Sequence, residues 1–93
     1  MRTKFEYFGE DKTLPKDERV REVWITITEK NKDKLEKTID LMYERIENEG
    51  FEFHRCPTVT ATSYSDAVQV YDKEEADELK EIYKEFKKTL KNI

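Results

Sequence analysis

The sequence predicts an α+β fold: a four-stranded, mainly antiparallel sheet with two helices on one face, in the order ββαββα. Three observations predict it. Two long segments repeat apolar residues at three- and four-residue intervals, and four short segments alternate apolar with polar residues. The chain of 93 residues has only two glycines and two prolines, so residues 1–93 read as a single domain without a linker.

Residues 3–8 alternate, with Thr3, Phe5 and Tyr7 on one side and Lys4, Glu6 and Phe8 on the other, which predicts a first strand. Residues 9–19 are polar, contain Leu14-Pro15 and predict a connecting loop. In a second strand over residues 20–28, Val23, Ile25 and Ile27 face the core, opposite Glu22, Trp24, Thr26 and Thr28. Asn31 is the expected N-cap of the first helix, because its side chain can accept from free amides of the first turn. Leu35, Ile39, Met42 and Ile46 form that helix's apolar stripe, and Gly50 is its expected left-handed terminator.

Phe51, Phe53 and Arg55 alternate with Glu52, His54 and Cys56, which predicts a third strand stopped by Pro57. Residues 58–65, rich in Ser and Thr, fit either a loop or an extension of the hairpin. Val68 and Val70 against Ala67, Gln69 and Tyr71 predict the fourth strand. Asp72 and Glu75 have capping-box spacing, and Leu79, Ile82, Phe86, Leu90 and Ile93 mark the inner stripe of the final helix.

This order resembles a circularly permuted ferredoxin-like arrangement, with the first strand in the place of that fold's last. The resemblance is one of architecture alone, and the fold hosts many functions. It implies that the two helices run antiparallel, so that the end of the first lies beside the start of the second.

Composition narrows the class. The chain is 35% hydrophobic and 43% charged, so its core must be thin. Five Phe, five Tyr and one Trp offset this, since each ring buries more area than Val or Ala. A net charge of −4 and periodic apolar residues argue against disorder. Cys56 is the single cysteine, which excludes an internal disulfide and points to a reducing compartment. No apolar run approaches the roughly 20 residues of a membrane span, and no signal-peptide pattern opens the chain. A cytoplasmic protein without membrane partners is expected.

Charge is unevenly placed. The junction between the end of the first helix and the start of the second collects Asp40, Glu44, Glu47, Glu49, Asp72, Glu74, Glu75, Asp77, Glu78 and Glu81. Arg45, Lys73 and Lys80 oppose them. The other end collects Lys30, Lys32, Lys34, Lys37, Lys84, Lys87, Lys88 and Lys91, opposed by Glu29, Asp33, Glu36 and Glu85. In the second helix this arrangement complements the helix dipole. In the first helix it opposes the dipole, at about 0.3–1 kcal/mol per exposed charge. Solvation accounts for an ordinary charged face; an acidic end that meets a basic partner accounts for the misplacement as well.

The open face of the sheet is expected to carry Phe8, Trp24, Thr26, His54, Cys56, Gln69 and Tyr71. Its ring-bearing side chains suit either scattered surface aromatics, cover by the 9–19 loop, a homodimer made by stacking two faces, or a binding platform. Chemistry is sparse. His54 and Cys56, two apart on one strand, share a face, but no orienting third group is identifiable for a nucleophilic pair. One His and one Cys do not make a structural zinc site, and no glycine-rich phosphate loop exists. Neither a cofactor nor a metal is expected. Base stacking on the sheet face is disfavoured by the acidic balance and the scarcity of cations there.

These readings converge on an expectation of a non-enzymatic protein–protein interaction module. It would bind a basic surface through Asp40, Glu44, Glu47, Glu49, Glu74, Glu75, Asp77, Glu78 and Glu81. In size and charge it is similar to small acidic viral inhibitors of nucleic-acid-handling proteins, such as phage antagonists of restriction or CRISPR systems. The alternative is a homodimeric module using Phe8, Trp24, His54, Gln69 and Tyr71 to bind a small ligand or single-stranded RNA.

Overall fold

Alternation and helical periodicity resolve into an antiparallel sheet and two helices. The computed structural model describes residues 1–8 and 21–92. The expected 9–19 loop, Val20 and Ile93 lie outside the described residues. Strand β1 spans Arg2–Phe8, β2 Glu22–Thr28, β3 Thr58–Val59 and β4 Ser63–Gln69. Helix α1 spans Lys32–Asn48 and α2 Lys73–Thr89, followed by a 3-10 turn over Leu90–Asn92. The sheet order is β1-β2-β4-β3, with every neighbouring pair antiparallel.

Strand register sets the core. Phe5 opposes Ile25 and Tyr7 opposes Val23 on one side of β2; Val68 opposes Val23 on the other. Residues paired across an antiparallel ladder share a face, so these side chains line one surface. Val23, Ile25 and Ile27 are fully buried there and form one cluster with Leu35, Met42 and Ile46 of α1 and Leu79, Tyr83 and Phe86 of α2. The reverse surface carries Lys4, Glu6, Trp24, Thr26, Ser65 and Gln69.

Both helices begin on a side-chain cap. Asn31 Oδ1 accepts from the Lys34 amide at 3.0 Å, and Asp72 Oδ1 from the Glu75 amide at 2.8 Å. Gly50 ends α1 at φ +93°, where a Cβ would meet nothing within 4 Å. Its role is therefore conformational rather than steric.

The expected third strand over residues 51–56 does not form. It is reduced to a single bridge between Phe53 and Val68. Arg55 takes a left-handed φ of 61°, which turns the chain and lays its guanidinium over the Tyr43 ring, 3.9 Å from the centroid. The same guanidinium bonds Glu47. Strand pairing resumes beyond Pro57 at Thr58 and Val59. The Ser/Thr-rich stretch thus extends the hairpin: Thr60 and Ser63 are joined hydroxyl to hydroxyl at 2.7 Å, and the Thr60 amide donates to the Ser63 carbonyl at 2.9 Å. The fourth strand correspondingly starts earlier than expected and ends before Tyr71.

The helices run head to tail. Lys73, at the start of α2, sits 5.7 Å from the Tyr7 ring at the end of β1, whereas Tyr83 bonds Thr3 near its beginning at 2.7 Å. Lys34, in the first turn of α1, shares a cleft with Lys87 and Leu90 at the end of α2. Gly50 and Phe51, just beyond α1, share another with Glu75 in the first turn of α2.

Candidate functional site

The point where α1 ends and α2 begins is built by two chain reversals. After Gly50, Phe51 is buried and its amide donates back to the Ile46 carbonyl at 3.4 Å. The Glu52 carbonyl then accepts the Gln69 amide at 3.4 Å, fastening this segment to the end of β4. Beyond β4, Val70 is buried while Tyr71 is 82% exposed, its carbonyl held by Arg21. The two reversals enclose a cleft of about 320 Å³ lined by Phe51, Glu52, Gln69, Tyr71 and Glu75. Two carboxylates, an exposed phenol ring and a side-chain amide face one space. That combination suits a cationic side chain, which gains from the carboxylates and from the ring face together.

The nine expected acidic residues divide around this cleft. Glu75 lines it, and Glu74 lies beside it in the same first turn of α2. Glu49 is the C-cap of α1, one residue before Gly50. Asp77 is paired with Lys73 at 2.5 Å and Glu81 with Lys84 at 3.2 Å, while Glu47 is engaged by Arg55. Among the described residues, no cation stands within ion-pair distance of Asp40, Glu44, Glu49, Glu74, Glu75 or Glu78. Glu44 belongs elsewhere: it lines a separate cleft between the helices with Leu41, Arg45 and Phe86. Glu52 was not among the expected residues. Read as one position of a strand, it had no reason to face the helices; the chain reversal after Gly50 is what brings it there.

The open sheet face is more polar than its aromatics suggest. Glu22 stands at one end of this face, between Phe8 and Gln69: Oε1 accepts from Trp24 Nε1 at 3.0 Å, and Oε2 lies 3.7 Å from His54 Nδ1. Lys4 and Glu6 pair at 3.2 Å, and the Thr26 and Ser65 hydroxyls meet at 2.5 Å. Phe8 is 47% exposed at the strand end and Gln69 is exposed on the same face. Tyr71 lies past the end of β4 and belongs to the acidic cleft. His54 and Cys56 flank the left-handed Arg55, so the regular strand spacing that would align them is broken. Among the described residues, no three His, Cys, Asp or Glu side chains converge as metal ligands, and no helix is long and apolar enough to cross a membrane.

A third polar cluster lies inside. Asp66, fully buried opposite Ile25, accepts from the Tyr43 hydroxyl at 2.6 Å through Oδ2 and from the Ala67 amide at 2.8 Å through Oδ1. The Tyr64 hydroxyl bonds the same Tyr43 oxygen. Burial, then the bond to Asp66, pushes the Tyr43 phenol well above its ordinary value. Tyr43 therefore stays protonated and donates to the carboxylate. The Tyr64, Asp66, Val68 alternation was the signal available in the sequence, an acid in phase with core-facing residues.

Compared with known protein families, curated proteins and solved structures, the chain matches none.

Proposed function

We propose that this protein is a non-enzymatic interaction module that engages a basic protein surface through the cleft at the α1–α2 junction and the carboxylates around it. The observation that carries this reading is the convergence of Glu52, Glu75 and the 82% exposed Tyr71 on one cleft, next in the chain to Glu49 and Glu74, which have no ion-pair partner among the described residues. An Arg or Lys of the partner enters the cleft, and Glu78, Asp77, Glu81, Glu47, Glu44 and Asp40 supply the surrounding field. The partner is a protein; nucleic acid would be repelled from this end. Acting by occupancy, the module works as an inhibitor of a nucleic-acid-handling protein whose basic surface it covers, in the manner of small viral antagonists. The strand order β1-β2-β4-β3 and the shared helix core support a permuted ferredoxin-like architecture, and an exposed free Cys56 suits a reducing cytoplasm.

The test is calorimetric titration with an arginine-rich peptide at low salt. Glu52→Gln/Glu75→Gln should weaken binding about tenfold or more, as removal of two charges from one pocket requires. A control pair of equal charge, Glu36→Gln/Glu85→Gln, should change it little. Equal weakening by both pairs would reduce the effect to net charge and defeat the reading.

A further inference from the structure

We propose that the cleft at the opposite end of the molecule is a binding site for a small ligand bearing two or more phosphate groups. Three elements meet there: β1 contributes Arg2 and Thr3, α1 contributes Lys34, and the end of α2 with its 3-10 turn contributes Lys87, Leu90 and Lys91. The space is about 450 Å³, within the roughly 300–1,000 Å³ of small-molecule sites and larger than a lone phosphate fills.

Arg2, Lys34, Lys87 and Lys91 thus line one cleft together with Met1, and no carboxylate lines it among the described residues; the one acid beside it, Glu29, lies 3.8 Å from the Met1 amine, whose charge it offsets. Among the described residues, no acid stands within ion-pair distance of Arg2, Lys34, Lys87 or Lys91, although the chain holds 22 Asp and Glu against 18 Lys and Arg. Elsewhere on the same helices lysines are matched, as in Lys73 with Asp77, Lys84 with Glu81 and Lys88 with Glu85. Lys87 and Lys91 complement the carbonyl end of α2, which accounts for those two positions. It does not account for Lys34, which sits at the amide end of α1 where a cation is disfavoured, nor for Arg2 on the neighbouring strand. A bound polyanion relieves both at once, taking the Arg2 fork and three ammonium groups as its partners. Tyr83 underlies Lys87 at 5.7 Å and bonds Thr3 at 2.7 Å. Burial raises its phenol, so it adds no negative charge to the cleft. Leu90 gives the cleft an apolar wall on which the organic part of the ligand rests.

The site is independent of the acidic cleft, which lies at the other end of both helices. The experiment is calorimetric titration of the full chain at low ionic strength with inorganic tripolyphosphate and, separately, a nucleoside triphosphate. Saturable one-to-one binding is expected, weakened about tenfold by Lys34→Gln/Lys87→Gln and by Arg2→Gln/Lys91→Gln, with circular dichroism confirming that each variant is folded. Lys73→Gln/Lys80→Gln, in the first half of α2 and outside the cleft lining, should leave it unchanged. Equal affinity for the two probes locates recognition in the phosphate chain; tighter nucleotide binding adds the organic part. The proposal is overturned by equal weakening in the control variant, by no saturation at about 1 mM ligand, or by binding of single-stranded RNA without binding of either triphosphate.

Discussion

Tyr43 joins the buried carboxylate, the aromatic core and the turn at Arg55. Its hydroxyl satisfies the buried Asp66 carboxylate, its ring stacks edge-on against Phe53 at 4.7 Å, and its outer face carries the Arg55 guanidinium. A buried carboxylate left without its donor is costly. Tyr43→Phe should therefore lower the unfolding free energy by about 1–3 kcal/mol in urea titration; a loss below about 0.5 kcal/mol would mean that Tyr64 replaces the lost donor. The raised phenol also has a pH signature. Its folded value lies above the ordinary 10.0, so its stabilisation is complete below about pH 10, where the unfolded chain also holds the proton. Above that pH the unfolded chain loses the proton first, and stability falls by about 1.4 kcal/mol per pH unit for each such group. Tyr83, raised in the same direction, contributes alongside. Alkaline titration of stability should show a shallower fall in Tyr43→Phe than in the wild type; identical slopes would contradict the assignment.

At the scale of elements, most of the architecture was legible in the residues. Val23, Ile25 and Ile27 announced β2, two apolar stripes announced the helices, and Asn31, Asp72 and Gly50 set their ends. What failed was the segment after Gly50. Alternation from Phe51 to Cys56 describes a strand, but a left-handed non-glycine residue leaves no trace in a pattern of polarity. Arg55 is turned by contacts with Tyr43 and Glu47, residues of another element, which local propensity does not contain. The acidic cleft was half legible: its charges were visible, while Glu52 and Tyr71 reach it through the reversal after Gly50 and through the early end of β4. The helices themselves make a prediction of opposite sign. Lys32→Glu in the first turn of α1 should stabilise the protein by about 0.3–1 kcal/mol at low salt, and Glu74→Lys in the first turn of α2 should destabilise it by a similar amount. Thermal or urea unfolding distinguishes them; the same sign for both would remove the claim that α1 carries charge against its own dipole.

Across the whole molecule, head-to-tail packing turns two oppositely arranged helices into one dipolar body. In α2 the charges stabilise the helix that bears them. In α1 they do not, yet both sets reinforce the same polarity: carboxylates around the Glu52–Glu75 cleft, cations around the Arg2–Lys34 cleft. Such a body orients in the field of a charged partner before contact, which raises association rates at low salt and loses that gain as salt screens it. The central claim is that the acidic end, rather than net charge, does the binding. The most direct measurement is the affinity of an arginine-rich peptide for Glu52→Gln/Glu75→Gln beside the equally charged control Glu36→Gln/Glu85→Gln. The account predicts about tenfold weakening in the first and little change in the second; equal losses in both, or no binding to the wild type even at low salt, would contradict it.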